Sequence, residues 1–452
     1  MRRLFTCLAL LFLFLHPTGF LAAAPASPKV DAPKQVKKEE PYKLKASPET
    51  VQQWRKLKFG MLVCWDPSCL KGAEMGWSRM GKRTPWKKWK FEGSIPGEEY
   101  DHLHEKFNPV KYDPDEWVGI AKDAGMKYLV FTTKHHAGFC NFDSKWTNHK
   151  VTGPDCPYGK DITKMLADAC HKGGVLFGVY YSQPDWHHPD YFTKNHDKYI
   201  EYLHNQVREL MTNYGKVSMI FFDGLGGKET DWQSKKLITM CRELQPGVMI
   251  NNRTGIEGDF GTPEQRVGSM QTERPWETCM TICRQWSWRP DDPMKSFKKC
   301  IDILVRTVGG DGNLLLSVGP MPDGRIEPRQ AKRLREIGAW VKKYGESIYD
   351  TRGGPFLPGT WGASTYRGNT VYLHLLDKET TEAYLPRINK KIVSYKVLTG
   401  GHAKIETLKD EIKVSVTPDD PTEPDTIVEV KLDGPASEVK RFRKALWQHL
   451  PN

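Results

Sequence analysis

Ile220-Phe221-Phe222-Asp223-Gly224 ends an apolar run that begins at Val217, and it ends in a carboxylate followed by glycine. Three other runs end in polar or aromatic groups. Leu129–Lys134 leads into His135-His136, Val175–Val179 into Tyr180-Tyr181, and Met249-Ile250 into Asn251-Asn252-Arg253. Buried strands with reactive groups at their C-terminal ends are what a (β/α)₈ barrel enzyme needs, because its site is built on that face. The expected fold is therefore α/β, a TIM-like barrel.

The surrounding chain alternates in the same sense. Ser47-Pro48 opens a short helix before strand 59–64, and Asp113-Pro114 opens another before strand 127–133. A helix from Asp161 leads to strand 175–181, and Ile200, Leu203, Val207 and Leu210 mark a third helix by their 3.6-residue period. Strands follow at 217–222, 248–251 and 313–318, and a last helix opens at Pro328. Region 255–292 is irregular and aromatic and is expected to hold two weakly marked strands. Repeated strand-then-helix order implies a parallel sheet. No Gly-x-Gly-x-x-Gly turn suggests a dinucleotide fold. After Gly353-Gly354-Pro355, short strands at 370–376, 392–398, 412–416 and 426–432 read as an antiparallel β-sandwich, expected to pack on the barrel.

The expected organisation is a signal peptide at 1–24, a disordered linker at 25–46, the barrel at 47–350 and the sandwich at 351–452. Arg2-Arg3, an apolar stretch from Leu8 to Phe20 and Ala22-Ala23-Ala24 form a leader with a small-residue cleavage site. A secreted or periplasmic protein with no membrane span is expected. Without the leader, which carries two arginines and no acid, the net charge falls from +12 to +10. The basic residues are dispersed and no recognition motif accompanies them, so nucleic acid is not an expected partner. Of ten cysteines, nine lie after the leader. That odd number leaves at least one thiol free. Cys279 and Cys283 lack a matching His or Cys pair, so no metal site is read there.

A glycosidase needs two carboxyl groups flanking the scissile bond. Asp223 is the candidate for the first, since an ionised group at a buried strand end is costly without a partner or a function. Glu74, Glu264, Glu273 and Glu277 are the candidates for the second, and spacing alone does not choose among them. His135 and His136, at a strand end, can both reach a ligand.

Several motifs occur in order: Phe59-Gly60 with Cys64-Trp65, Lys134-His135-His136-Ala137-Gly138-Phe139, Tyr180-Tyr181-Ser182 and Phe222-Asp223-Gly224. Asn251-Asn252-Arg253, Gly258-Asp259-Phe260-Gly261-Thr262-Pro263-Glu264, Trp276-Glu277-Thr278 and Gly312–Leu316 continue the series. The series resembles the family-29 α-L-fucosidases over nearly the whole chain beyond the leader. The resemblance implies an exo-acting, retaining α-L-fucosidase without cofactor or metal, with a fucosylated or sulfated-fucan glycan as its partner. Asp223 would be the nucleophile and Glu264 the acid/base, with Glu277 as the alternative. Retention implies carboxyl groups roughly 5–5.5 Å apart. Glu74, His135, His136, Tyr180 and Arg253 would hold the sugar, and Trp65, Trp77 and Trp288 would form its apolar wall. Where the family has His-Trp-Gly, this chain has Cys64-Trp65-Asp66, and Ala137 and Phe222 also depart from the pattern. A glycosidase for a related α-L-sugar, such as an α-L-galactoside or a sulfated fucoside, and a non-catalytic glycan binder are the alternative readings.

Overall fold

The chain's structure is a computed structural model that describes residues 42–81, 83, 85, 92–377 and 381–440. The leader and most of the expected linker lie outside these residues. The last linker residues do not follow the expectation of disorder. The Lys43 N–H donates to Thr239, the Ala46 N–H donates to Asp259, and Lys45 Nζ donates to Gly258 O.

Helix α1 (Pro48–Leu57) starts where Ser47 caps it, with its side chain accepting from the Thr50 N–H and proline at the first helical position. Strand β1 (Phe59–Val63) follows. The long connection after it holds the short helix α2 (Gly97–Asp101). Asp113 caps α3 (Pro114–Asp123) by accepting from two N–H groups, and Asp161 caps α4 (Ile162–Gly173). Strands β2 (Tyr128–Lys134), β3 (Leu176–Tyr181) and β4 (Met219–Phe222) alternate with these helices and with α5 (His196–Asn213). Then come α6 (Glu229–Trp232), α7 (Ser234–Leu244), β5 (Met249–Ile250), β6 (Glu277–Thr281), α8 (Phe297–Gly309), β7 (Asn313–Val318) and α9 (Pro328–Tyr344).

The seven strands form one curled parallel sheet in the order β5-β4-β3-β2-β1-β7-β6. The place between its two edges is crossed by an irregular segment. Phe260 bridges to Asn251, Gly261 to Trp276 and Glu264 to Cys279, all in parallel sense. Of the two weak strands expected in 255–292, one is β6. The other is this bridged segment, which takes the eighth position without forming a regular ladder.

Side chains sort by strand parity. From β1, Phe59, Met61 and Val63 join the layer between sheet and helices, whereas Leu62 and Cys64 join the barrel interior with Tyr128, Val130, Tyr180, Met219, Phe221 and Cys279. Gly60 is an inward position where a Cβ would fall 2.4 Å from the Tyr128 ring. The bulky tyrosine therefore needs glycine opposite it.

Beyond α9 lie β8 (Arg352–Gly353), β9 (Gly362–Arg367), β10 (Thr370–Leu375), β11 (Glu382–Pro386), β12 (Ile392–Val397), β13 (Gly401–Thr407), β14 (Glu411–Pro418) and β15 (Thr426–Leu432). They form a five-stranded sheet, β12-β15-β10-β9-β8, and a three-stranded sheet, β11-β14-β13. Leu373, Leu385, Val414 and Val428 belong to the core they share. Helix α8 abuts this region: a Cβ at Gly309 would lie 2.6 Å from Ala363, and Lys298 Nζ donates to Leu376 O at 2.6 Å. Among the described residues, no helix is long and apolar enough to cross a membrane, and all nine cysteines are unpaired and buried.

Candidate active site

Parity places Asp223 on the inward face of its strand end. It follows Met219 and Phe221, which point into the barrel, while Ile220 and Phe222 point to the helices. Asp223 is 8% exposed and faces a cavity of about 250 Å³ that His135, Tyr180, Arg253 and Glu264 also line. Leu62, Met75, Trp77, Phe221, Leu225 and Trp286 give the hollow an apolar wall, and Cys64 and Cys279 lie in it too.

Two donors fix the Asp223 carboxylate. The Tyr180 hydroxyl donates to Oδ2 at 2.8 Å, and Arg253 Nη1 donates to Oδ1 at 3.3 Å. Tyr180 is buried, and burial first, then the negative Asp223, holds its pKa well above the usual phenol range. It therefore remains a donor. Arg253 Nη2 donates to Glu264 Oε2 at 2.8 Å, so one planar guanidinium touches both acids. Burial by itself would lower the arginine's pKa, but the negative Asp223 and Glu264 hold it raised. Arg253 Nε donates to Thr262 Oγ1, which ties the fork to the irregular eighth segment. Glu264 stands on that segment with its side chain 42% exposed, open to an incoming leaving group or water, while Asp223 lies deeper.

His135 and His136 sit where β2 gives way to a loop. Burial, then the neighbouring imidazole, pushes the pKa of His135 well below the usual histidine range. Burial, then Lys134 and Arg253, does the same for His136. Both are neutral imidazoles, suited to hydrogen-bond sugar hydroxyls. His135 lines the hollow, and His136 Nε2 is 3.7 Å from Asp223 Oδ2. Trp77 meets His136 edge to face with ring centres 5.3 Å apart.

Four expected site residues occupy other positions. Trp65 is fully buried in the helix-side layer, 5.0 Å from Phe107 and 5.2 Å from Trp117 between ring centres. It shares the outward parity of Phe59, Met61 and Val63, so Cys64 reaches the pocket instead. Trp288 is half-buried and outside the lining, because the chain bends at 282–287 and turns Trp286 inward.

Glu74 directs that bend. Its oxygens accept from the N–H groups of Trp286 (2.9 Å) and Ser287 (3.2 Å), so it holds the loop that carries the lining residue Trp286. Burial raises its pKa, partly offset by these donors. Glu277 faces inward but lies two residues below Cys279, about 7 Å deeper along the strand. It is fully buried and accepts from the Tyr128 hydroxyl, and burial pushes its pKa up to about 8. A group sealed beneath the floor does not exchange protons with a leaving group above it.

Glu273 is exposed on a loop, and its carbonyl accepts from Arg55 near the base of the barrel. Among the described residues, no cluster of three or more His, Cys, Asp or Glu side chains is placed to hold a metal ion. Sequence reasoning missed Met75, Leu225, Trp286 and Cys279 in the lining. The parity of β6 was the available signal for Cys279.

A parallel barrel with a strand-end carboxylate and a second acid across a sugar-sized hollow defines a glycoside hydrolase. The family model for α-L-fucosidase matches residues 27–346. Mouse tissue α-L-fucosidase is 30% identical over 353 residues, which cover 72% of this chain and 75% of that protein. The solved α-L-fucosidase isoenzyme 1 of Paenibacillus thiaminolyticus is similar with a TM-score of 0.75 and 34% identity, over 85% of this chain and 99% of that one. A family-29 α-L-fucosidase of Bacteroides thetaiotaomicron, trapped as a covalent intermediate with 2-fluoro-fucosyl fluoride, has a TM-score of 0.75 and 27% identity, over 87% of this chain and all of that one. The chain belongs to the α-L-fucosidase family.

Proposed function

We propose that this protein removes terminal α-L-fucosyl residues from glycans by double displacement, with Asp223 as nucleophile and Glu264 as acid/base. The observation that carries the assignment is the single Arg253 guanidinium in contact with both carboxylates at one hollow. In the first step, an Asp223 oxygen bonds to the anomeric carbon as the glycosidic C–O bond breaks. Protonated Glu264 gives its proton to the departing oxygen. In the second step, Glu264 takes a proton from water, the water oxygen bonds to the anomeric carbon, and Asp223 leaves as a carboxylate. Two inversions return the α configuration.

Tyr180 and Arg253 hold Asp223 by its two oxygens, so the attack geometry is set before the sugar arrives. The cavity, at about 250 Å³, is smaller than typical pockets for larger ligands and suits one terminal ring, hence exo action. Its apolar wall of Leu62, Met75, Phe221 and Trp286 suits the methyl group of a 6-deoxy sugar. The basic, then apolar, N-terminal 24 residues support export to the periplasm or medium.

Azide rescue tests the roles. With an activated aryl α-L-fucoside, Asp223→Ala should yield the inverted β-fucosyl azide, and Glu264→Ala the retained α-fucosyl azide. Rescue at Glu277→Ala instead would move the acid/base role there.

A further inference from the structure

The turn after Asp223 holds a leucine in a conformation that leucine seldom takes. The Gly227 N–H donates to Gly224 O at 2.9 Å, and the two residues between them have φ +51° (Leu225) and +87° (Gly226). Positive φ at both central positions is the type I′ pattern, in which glycine, asparagine or aspartate fills the first place. A leucine there crowds its own backbone and has no short polar group to offset the cost by local hydrogen bonding.

Neighbours fix both ends of this turn. The Gly224 N–H donates to Arg253 O at 3.0 Å, and a Cβ at Gly224 would fall 2.6 Å from that oxygen. A Cβ at Gly227 would fall 2.5 Å from Trp232 Nε1. The backbone therefore sets the direction of the Leu225 side chain, which lines the hollow.

Burial sorts that lining into floor and mouth. Leu62, Tyr180 and Asp223 are buried, whereas Leu225 is half-buried beside exposed Gly226, and Glu264 is open to solvent. Leu225 thus stands at the mouth, two residues beyond the proposed nucleophile. A hollow that admits one terminal ring leaves the departing portion outside it, against the residues of the mouth.

We propose that Leu225 is a specificity-determining residue for the leaving group: it packs on the apolar face of the first departing ring, an aryl group or the C–H face of a pyranose. The proposal rests on the fucosidase reading. Leu225 also touches the layer between sheet and helices, and a purely structural role there would affect every substrate alike.

The test compares two substrates that share the fucosyl ring, an aryl α-L-fucoside and α-L-fucosyl fluoride, whose leaving group is a single atom. Leu225→Asn gives the turn a residue it favours and removes the apolar branch. Its kcat/KM should fall about fivefold or more on the aryl fucoside and less than about twofold on the fluoride. Leu225→Met, which keeps the apolar contact, should stay within about twofold of wild type on both. The ratio of the two rates, taken on one preparation, does not depend on how much of a variant is folded. Equal losses on both substrates, or an unchanged rate of Leu225→Asn on the aryl fucoside, would overturn the Leu225 assignment. A wild type inert towards both substrates would instead overturn the fucosidase reading beneath it.

Discussion

Glu277→Gln separates a structural carboxyl from a catalytic one. In the folded protein, burial raises the Glu277 pKa from its ordinary 4.5 to about 8, and its carboxyl accepts from the Tyr128 hydroxyl. Its Oε1 has no partner among the described residues, as suits a protonated acid. Between these two pH values the folded state keeps a proton that the unfolded state has lost. Stability from this group is therefore fully present below about pH 4.5 and is lost as pH rises through about 8. The gap corresponds to at most about 5 kcal/mol, an upper bound because local relaxation lets water in. Glutamine keeps the shape and an acceptor for Tyr128 but cannot ionise. Thermal melts at about pH 5 and about pH 9 should show the wild type losing several degrees more than the variant over that interval. Hydrolysis of an aryl fucoside by the variant should stay within about threefold of wild type. An identical pH slope in both proteins would refute the burial argument, and a loss of several hundredfold would return Glu277 to the acid/base role.

Three further substitutions probe the site and its support. Gly76 has φ +59°, and a Cβ there would lie 2.7 Å from His135 Nδ1, so Gly76→Ala should push that imidazole out of place and lower kcat/KM about tenfold or more, read in steady-state kinetics. Trp286→Ala should raise KM for an aryl fucoside while Trp288→Ala leaves it within about twofold, because only Trp286 lines the hollow. Asp311 accepts from Arg55 (2.9 Å) and Arg352 (2.6 Å) and faces buried Lys58 at 3.8 Å, so Asp311→Asn should cost about 3–5 kcal/mol by removing the negative charge that offsets these cations, seen as a lowered Tm with kcat kept at low temperature.

The barrel was legible because each parallel strand is an apolar run with a polar terminus, and the caps at Ser47, Asp113 and Asp161 stand in the sequence as plainly as in the structure. The same continuity hid the pocket wall. Both faces of a barrel strand are buried, so alternation does not tell which of Cys64 and Trp65 points inward. The two second-acid candidates, Glu264 and Glu277, differ in depth, and depth depends on the register of β6 against β7 and on an eighth segment that is not a regular strand. The loop contacts of Glu74 were not legible because its partners, Trp286 and Ser287, lie more than two hundred residues away. In the C-terminal region, β9, β11 and β13 were not foreseen. They carry Gly, Pro and charged residues in place of strong apolar alternation and depend on cross-strand pairing.

The most direct test of the account is to trap its covalent intermediate. Incubation with 2-fluoro-fucosyl fluoride, followed by proteolysis and mass spectrometry, should place one 2-fluorofucosyl group on the peptide containing Asp223. A label on a different carboxylate, or turnover to the inverted β-L-sugar with no label formed, would contradict it.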